Sequence, residues 1–462
     1  MQKAAKSRGS KSALGRIVQN AARTRTSPAR LAMIAFLGII GLVTLLLWLP
    51  ISNADGTSPP LIDALFTAVS AVCVTGLTTL DMAHQWSLFG NIVIMAAMKV
   101  GGFGVLTVAS LLGLSVMREM GLAQRIVTAR ETKAQQLDQV GGVLKTIVIT
   151  STALETLTFL SLAPFFLSRG ASVPTALFDA LYYGISSFNN VGFVHEAEGT
   201  LQYVGEPAFV LPVAAAVFTG SLGFPVILVL FRHWNHPAKW TLHAKMTIAG
   251  STLLLLLAIV SITALEWTNP DTFGGLPLKD RMLAALFTGV MPRSGGLSVI
   301  DVGAMHPESW VVQDLLMFIG GGSGSTAGGI KVTTFAILML AIIAEVRGDR
   351  DVEAFGRRIP EDTIRQAIGV LAISVMVIFF ATLVMLRLTP YGLDQVLFEV
   401  LSAYGTVGLS TGITADLSTP AKAAIVTCML VGRLGPVTVG AALAMRTRPR
   451  IIRLPEERPI IG

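Results

Sequence analysis

Four short stretches of this chain carry small, polar and glycine residues in a pattern that could hold a bare cation. The first reads DALFTAVSAVCVTGLTT, from Asp63 to Thr79, and the second DALYYGISSFNNVGF, from Asp179 to Phe193. The third reads RMLAALFTGVMPRSGGL, from Arg281 to Leu297, and the fourth LDQVLFEVLSAYGTVGLST, from Leu393 to Thr411. Each joins a short amphipathic helix pattern to small or polar residues, a glycine, and then Leu or Phe. Gly76, Gly192 and Gly408 lie ten residues after Phe66, Tyr182 and Phe398, and Gly296 lies nine after Phe287. Glycine accepts positive φ, so successive carbonyl oxygens can point the same way. A ring of such carbonyls can replace a cation's hydration shell. The C-terminal ends of the short helices would add partial negative charge. One such segment reads equally well as an ordinary loop, but four, spaced alike, read as a repeat.

A second stretch could act on ions rather than hold them. Gly320, Gly321, Gly322, Ser323, Gly324, Ser325, Thr326, Ala327, Gly328 and Gly329 interrupt an apolar run. Each interior glycine costs a helix roughly 0.8–1 kcal/mol relative to alanine. A break in mid-membrane is expected, with the freed backbone facing a cavity. A flexible polar loop there could block or admit ions. No Gly-Lys-Ser/Thr follows and no βαβ pattern surrounds it, which argues against a bound nucleotide. Lys331 follows this run, and Lys99 and Arg433 fall inside other apolar runs. Charges there are costly and mark pathways or paired helix contacts. For Arg433 the alternative to a pore role is pairing with a carboxylate such as Glu155 or Glu399. The six histidines lie in loops or at their edges and read as surface residues rather than ligands.

The elements that position these residues follow from composition. Of 462 residues, 52% are hydrophobic and 14% charged, against about 25% charged in soluble proteins. Such a chain belongs in a lipid bilayer. The net charge of +7 sits at the edges of apolar blocks, so the membrane accounts for it and nucleic acid does not. Cys73 and Cys428 are the two cysteines, both in apolar stretches, so neither a disulfide framework nor a zinc site is expected. Eight spans are predicted near 31–50, 87–116, 141–168, 207–231, 246–266, 310–344, 364–388 and 421–445. The four short segments fall between successive pairs as re-entrant elements.

Arg and Lys concentrate in one set of connections, around Arg118–Lys133, Arg232–Lys245 and Arg347–Arg365, and in both tails. That places both termini in the cytoplasm. The predicted fold is an all-α membrane protein. Its eight transmembrane helices form four pseudo-fourfold span–loop–span units around one pore. The units cover 31–116, 141–231, 246–344 and 364–446, with a basic tail at 1–30, the glycine-rich interruption at 318–335 and a C-terminal tail at 447–462.

The motifs VTGLTT, NNVGF, PRSGGL, TVGLSTG, GGGSGSTAGGIKVTTF and GRLGPVTVG together resemble the Trk/Ktr/HKT superfamily of potassium and sodium transporters, over about residues 31–446. The eight-span layout is similar to its Ktr branch. The resemblance implies potassium uptake through a channel-like filter with one glycine from each loop. On this chain the filter comprises Val74, Thr75, Gly76, Asn190, Val191, Gly192, Ser294, Gly295, Gly296, Thr406, Val407 and Gly408. Gly76, where sodium-preferring relatives carry serine, speaks for potassium. The third loop departs from the family's usual R-T-A-G-F pattern, and its extra glycine is expected to loosen that quarter. The resemblance also implies that residues 320–329, with Lys331 and Arg433, form an intramembrane gate. It implies a homodimer, a KtrA-like cytosolic ring of nucleotide-binding regulatory subunits and a bacterial plasma-membrane location. Potassium is the implied ion. Whether sodium is coupled to it or activates it stays open. The alternative is an ion-coupled secondary transporter with alternating access. An intramembrane enzyme is disfavoured, since no paired aspartates, Ser–His set or HExxH lies in the spans.

Overall fold

The computed structural model describes residues 28–104, 135–196 and 199–435. The basic tail before Pro28, the segment holding Arg118, Arg125, Arg130 and Lys133, Glu198, the far parts of the second and eighth predicted spans and the C-terminal tail lie outside the described residues.

The described residues are helical, with one small hairpin. The first unit holds α1 (Pro28–Trp48), the short α2 (Leu61–Cys73) and α3 (Leu88–Gly102). The second holds α4 (Gln135–Ser168), the short α5 (Val173–Phe188), α6 (Pro207–Leu222) and α7 (Phe224–His233). The third holds α8 (Leu242–Glu266), the short α9 (Leu278–Val290), α10 (Pro307–Phe318) and α11 (Val332–Arg347). A hairpin of β1 (Glu353–Ala354) and β2 (Arg357–Arg358) leads to the fourth: α12 (Glu361–Leu388), the short α13 (Leu393–Gly405) and α14 (Thr419–Leu434).

The outer faces of the long helices carry large apolar side chains. Leu253, Leu256 and Val260 of α8, and Met376, Phe379, Phe380 and Leu383 of α12, are exposed. On the same two helices Thr247, Ser251, Ser374 and Thr382 are buried. Apolar outer faces over buried hydroxyls suit helices set in a bilayer. Among the described residues, Lys145–Ser168, Leu242–Glu266 and Glu361–Leu388 are each long and apolar enough to cross a membrane alone.

The short helices occupy the centre. Phe66, Tyr182, Phe287 and Phe398, at corresponding places on the four, are fully buried. Each short helix packs on the long helix that precedes it in its own unit. The helix that follows each short helix also packs on the short helix of the next unit: α3 on α5, α6 on α9 and α10 on α13. Finally α14 packs on α2, so the four units close on themselves.

Among the described residues two spans are broken, where one break was expected. The second, at 319–331, coincides with the glycine run. The other separates α6 from α7 at Gly223, where the axes differ by 102°, so 207–231 is not one straight span. Gly223 has φ 94°, and Pro225 follows with no amide hydrogen to donate. The two breaks satisfy each other's backbone. Gly322 N–H donates to the Ser221 carbonyl at 2.7 Å, Phe224 N–H to Gly324 at 3.1 Å and Thr326 N–H to Gly220 at 3.4 Å. Buried peptide groups need such partners. The glycine-rich loop is thus pinned by hydrogen bonds rather than free.

His195 also departs from the surface reading. It is half-buried, 3.5 Å from Asp179, and packs on Phe178 and Tyr182. Burial holds its imidazole below the usual histidine range.

Candidate ion site: four loops and a glycine-rich loop

Each short helix ends in the same backbone device. Val74, Asn190, Ser294 and Thr406 all adopt positive φ, at 60°, 58°, 71° and 46°. Two residues on, Gly76, Gly192, Gly296 and Gly408 do so again, at 90°, 86°, 69° and 96°. Positive φ is uncommon outside glycine, and here four non-glycine residues hold it at matching positions. The conformation is anchored by helix-terminating hydrogen bonds. Thr75, Val191 and Val407 donate their N–H to the carbonyls of Ser70, Ser186 and Ser402 at 2.8, 2.9 and 2.8 Å. The Ser70 and Ser402 hydroxyls accept from the N–H of Gly76 and Gly408 at 3.0 and 3.1 Å.

The third loop reaches the same shape with one residue fewer. Gly295 N–H donates to Met291, four positions back rather than five. This accounts for the nine-residue spacing from Phe287 to Gly296. Gly295 does not loosen that quarter. It is buried, and a methyl built on it would sit 2.5 Å from Met291 Sδ and 2.9 Å from Val217 Cγ1. The larger Met291 fills the room that Thr75, Val191 and Val407 take in the other loops.

Eight of the twelve residues expected in the filter, the four glycines with Thr75, Val191, Gly295 and Val407, touch from loop to loop. A methyl on Gly76 would collide with the Val191 carbonyl oxygen, and one on Gly192 would sit 2.8 Å from that of Gly295. A methyl on Gly296 would lie 2.7 Å from the Val407 carbonyl oxygen, and one on Gly408 would collide with that of Thr75. The contacts run from loop to loop and return to the first. Carbonyl oxygens of Thr75, Val191, Gly295 and Val407 thus crowd onto the glycines of neighbouring loops. Such an assembly presents oxygen ligands and no carboxylate, which suits a large monovalent cation.

The glycine-rich loop lies against three of these loops. Thr326 Oγ1 donates to Asn190 Oδ1 at 2.9 Å. The Gly320 carbonyl accepts from Arg293 at 3.4 Å. A methyl on Gly328 would meet the Gly405 carbonyl oxygen at 2.8 Å. Several glycines here are needed for close approach: a methyl on Gly321 would sit 2.6 Å from the Ser221 carbonyl oxygen. Lys331 folds back and caps the loop, donating to Ala327 at 2.6 Å and Gly328 at 3.4 Å. Arg433 reaches in from α14 and donates to the carbonyls of Thr326 and Gly101. Among the described residues it pairs with no carboxylate. Glu155 is taken by Lys99, and Glu399 by Ser410, Thr411 N–H and Thr414.

Three features lie beyond the motif reading. Arg293 is fully buried and donates to Ser251 Oγ and its carbonyl, both at 3.1 Å, tying the third loop to α8. Glu155 accepts from Asn189 at 2.8 Å as well as from Lys99, so that ion pair reaches the foot of the second loop. Ser70 and Ser402 each stand six residues before a loop glycine, Gly76 or Gly408, a spacing that was visible in the sequence.

A closed ring of four glycine turns inside an all-helical, lipid-facing shell defines a membrane protein that passes a cation. Residues 13–448 match the TrkH family, described as cation transport proteins, and the chain belongs to that family. It is 35% identical to Ktr system potassium uptake protein B of Bacillus subtilis, over 95% of this chain and 97% of that one. It is 31% identical to potassium/sodium uptake protein NtpJ of Enterococcus hirae, over 96% of this chain and 100% of that one. The crystal structure of the potassium transporter TrkH from Vibrio parahaemolyticus shares the fold. Its TM-score is 0.68, over 89% of this chain and 84% of that one, at 18% identity.

Proposed function

We propose that this chain is the membrane subunit of a potassium-uptake system, with a filter lined by residues 74–76, 190–192, 294–296 and 406–408. The observation that carries the reading is the cyclic contact of the four glycine turns. The names of the relatives from Bacillus subtilis and Enterococcus hirae supply potassium, and the second supplies sodium as a further ion. In this reading eight spans surround the pore, the second and third units contribute broken spans, and both termini are cytoplasmic. Residues 320–329 with Lys331 and Arg433 form the gate. Arg433 places a cation against that loop and opposes potassium passing beneath the filter. Regulation comes from a KtrA-like cytosolic ring bound to a homodimer, because this chain carries no nucleotide motif of its own.

The test is rubidium uptake in potassium-uptake-deficient bacteria supplied with a cognate regulatory subunit. The parent is expected to restore growth at low potassium, and Gly76→Ser to lose uptake or gain sodium flux. A well-expressed parent that moves neither potassium nor rubidium would remove the reading. Sodium dependence of the rescue separates an activating or coupled sodium ion from a bystander.

A further inference from the structure

We propose that Thr326, in the glycine-rich loop, is a positioning residue that sets ion preference by holding the second filter loop. This rests on the filter reading above and extends it to a residue outside the four loops. Thr326 is fully buried and is held from two sides. Its carbonyl accepts from Arg433, and its N–H faces the Gly220 carbonyl at 3.4 Å. Its hydroxyl donates to Asn190 Oδ1 at 2.9 Å, with the Phe188 carbonyl more distant at 3.5 Å.

Asn190 is the residue of the second loop that takes positive φ, two positions before Gly192. Its amide nitrogen donates to the Val217 carbonyl on α6 at 3.2 Å. The amide is thus anchored at both ends, one end on a long helix and the other on the glycine-rich loop. The space is closed by backbone. A methyl on Gly220 would meet Thr326 Oγ1 at 3.1 Å and would collide with Asn190 Oδ1 and the Phe188 carbonyl.

The other loops are held differently. Val74 has no polar side chain to anchor. Ser294 Oγ donates to the Thr406 carbonyl at 2.5 Å, so loop three is tied to loop four within the ring. The Thr406 hydroxyl has no hydrogen-bond partner among the described residues. Thr406 packs on Gly328 of the glycine-rich loop without a hydrogen bond, so Asn190 is the left-handed residue whose side chain is hydrogen-bonded to that loop. Displacing that loop removes the acceptor's partner and frees Asn190 to turn. The Val191 carbonyl, which faces Gly76 and Gly296, then moves with it. Ion preference and gate position are coupled through one hydroxyl.

The experiment measures rubidium and sodium uptake side by side for the full chain, at matched membrane levels, in cells lacking their own potassium uptake. Thr326→Val keeps the shape and removes the hydroxyl. It is expected to raise the sodium-to-rubidium uptake ratio about 2- to 10-fold, the scale of one lost buried hydrogen bond. Thr326→Ser restores the hydroxyl and is expected to return the parent ratio. Thr326→Ala, smaller and without β-branching, gives the same readout if the valine variant does not reach the membrane. A loop that only gates scales both fluxes together. Variants that transport at the parent ratio therefore overturn this inference alone, whereas a parent that takes up neither ion overturns the filter reading and this inference with it.

Discussion

The first, second and fourth loops differ from the third, and the difference separates what the ring needs from what it tolerates. All four place a left-handed residue and then a glycine at the same spacing. Three do so with a serine in the last turn of the helix, Ser70, Ser186 or Ser402, and a β-branched residue, Thr75, Val191 or Val407, before the glycine. The third uses a shorter turn with Met291 in place of the serine and Gly295 in place of the β-branched residue. It adds a buried arginine that ties the turn to α8 and the glycine-rich loop. The oxygen ring is therefore set by backbone shape and close approach, and side chains reach that shape by more than one route. Loop three is braced from outside through Arg293, loop two is held from outside through Asn190, and loops one and four cap themselves.

The largest effect is expected where the backbones touch. Gly408→Ser puts a side chain into the Thr75 carbonyl oxygen and should cut rubidium uptake on the order of tenfold or more. Gly412→Ser is the control. Gly412 has φ 97° but nothing within 4 Å of a built Cβ, so that variant should keep most of its uptake despite the backbone strain. Equal losses at both positions would mean that conformation, and not crowding, makes the filter glycines necessary.

A smaller effect tests the shorter turn. Gly295→Ala should lower the stability of the solubilised protein by about 1–3 kcal/mol through overpacking, read as a fall in unfolding temperature. Met291→Ala in the same chain should recover part of that loss, since Met291 Sδ occupies the space. No recovery would show that Val217 and the backbone set the limit instead.

The smallest effect concerns the self-capped loops. Ser70→Ala and Ser402→Ala each remove a hydroxyl that accepts from a filter glycine, at a cost of about 1 kcal/mol. Ser186→Ala should cost less, because that hydroxyl donates to the Phe193 carbonyl at 3.3 Å instead. Thermal unfolding in detergent ranks the three. An equal fall for all three would break the distinction.

Much of the site was legible because it is local. Gly76, Gly192, Gly296 and Gly408 announce themselves by spacing from an aromatic residue, and the glycine run at 320–329 announces a broken helix. The bend at Gly223 was hidden by the strongly apolar residues on either side, although Gly-Phe-Pro was the signal. Its existence depends on a partner more than ninety residues away, the glycine-rich loop that fills its lost hydrogen bonds. Gly295 was misjudged for the same reason. A glycine read alone means freedom, but here Met291 and Val217 occupy the space it leaves. The bonds from Thr326 to Asn190 and from Arg293 to Ser251 join residues far apart in sequence, and no local pattern records them.

The central claim is that four loops enclose one cation path. Its most direct test is a crystal structure of the protein in thallium or rubidium, read by anomalous scattering. The account predicts a peak enclosed by the carbonyl oxygens of Thr75, Val191, Gly295 and Val407. Well-ordered loops with no peak between them, and ions bound elsewhere in the same crystal, would contradict it.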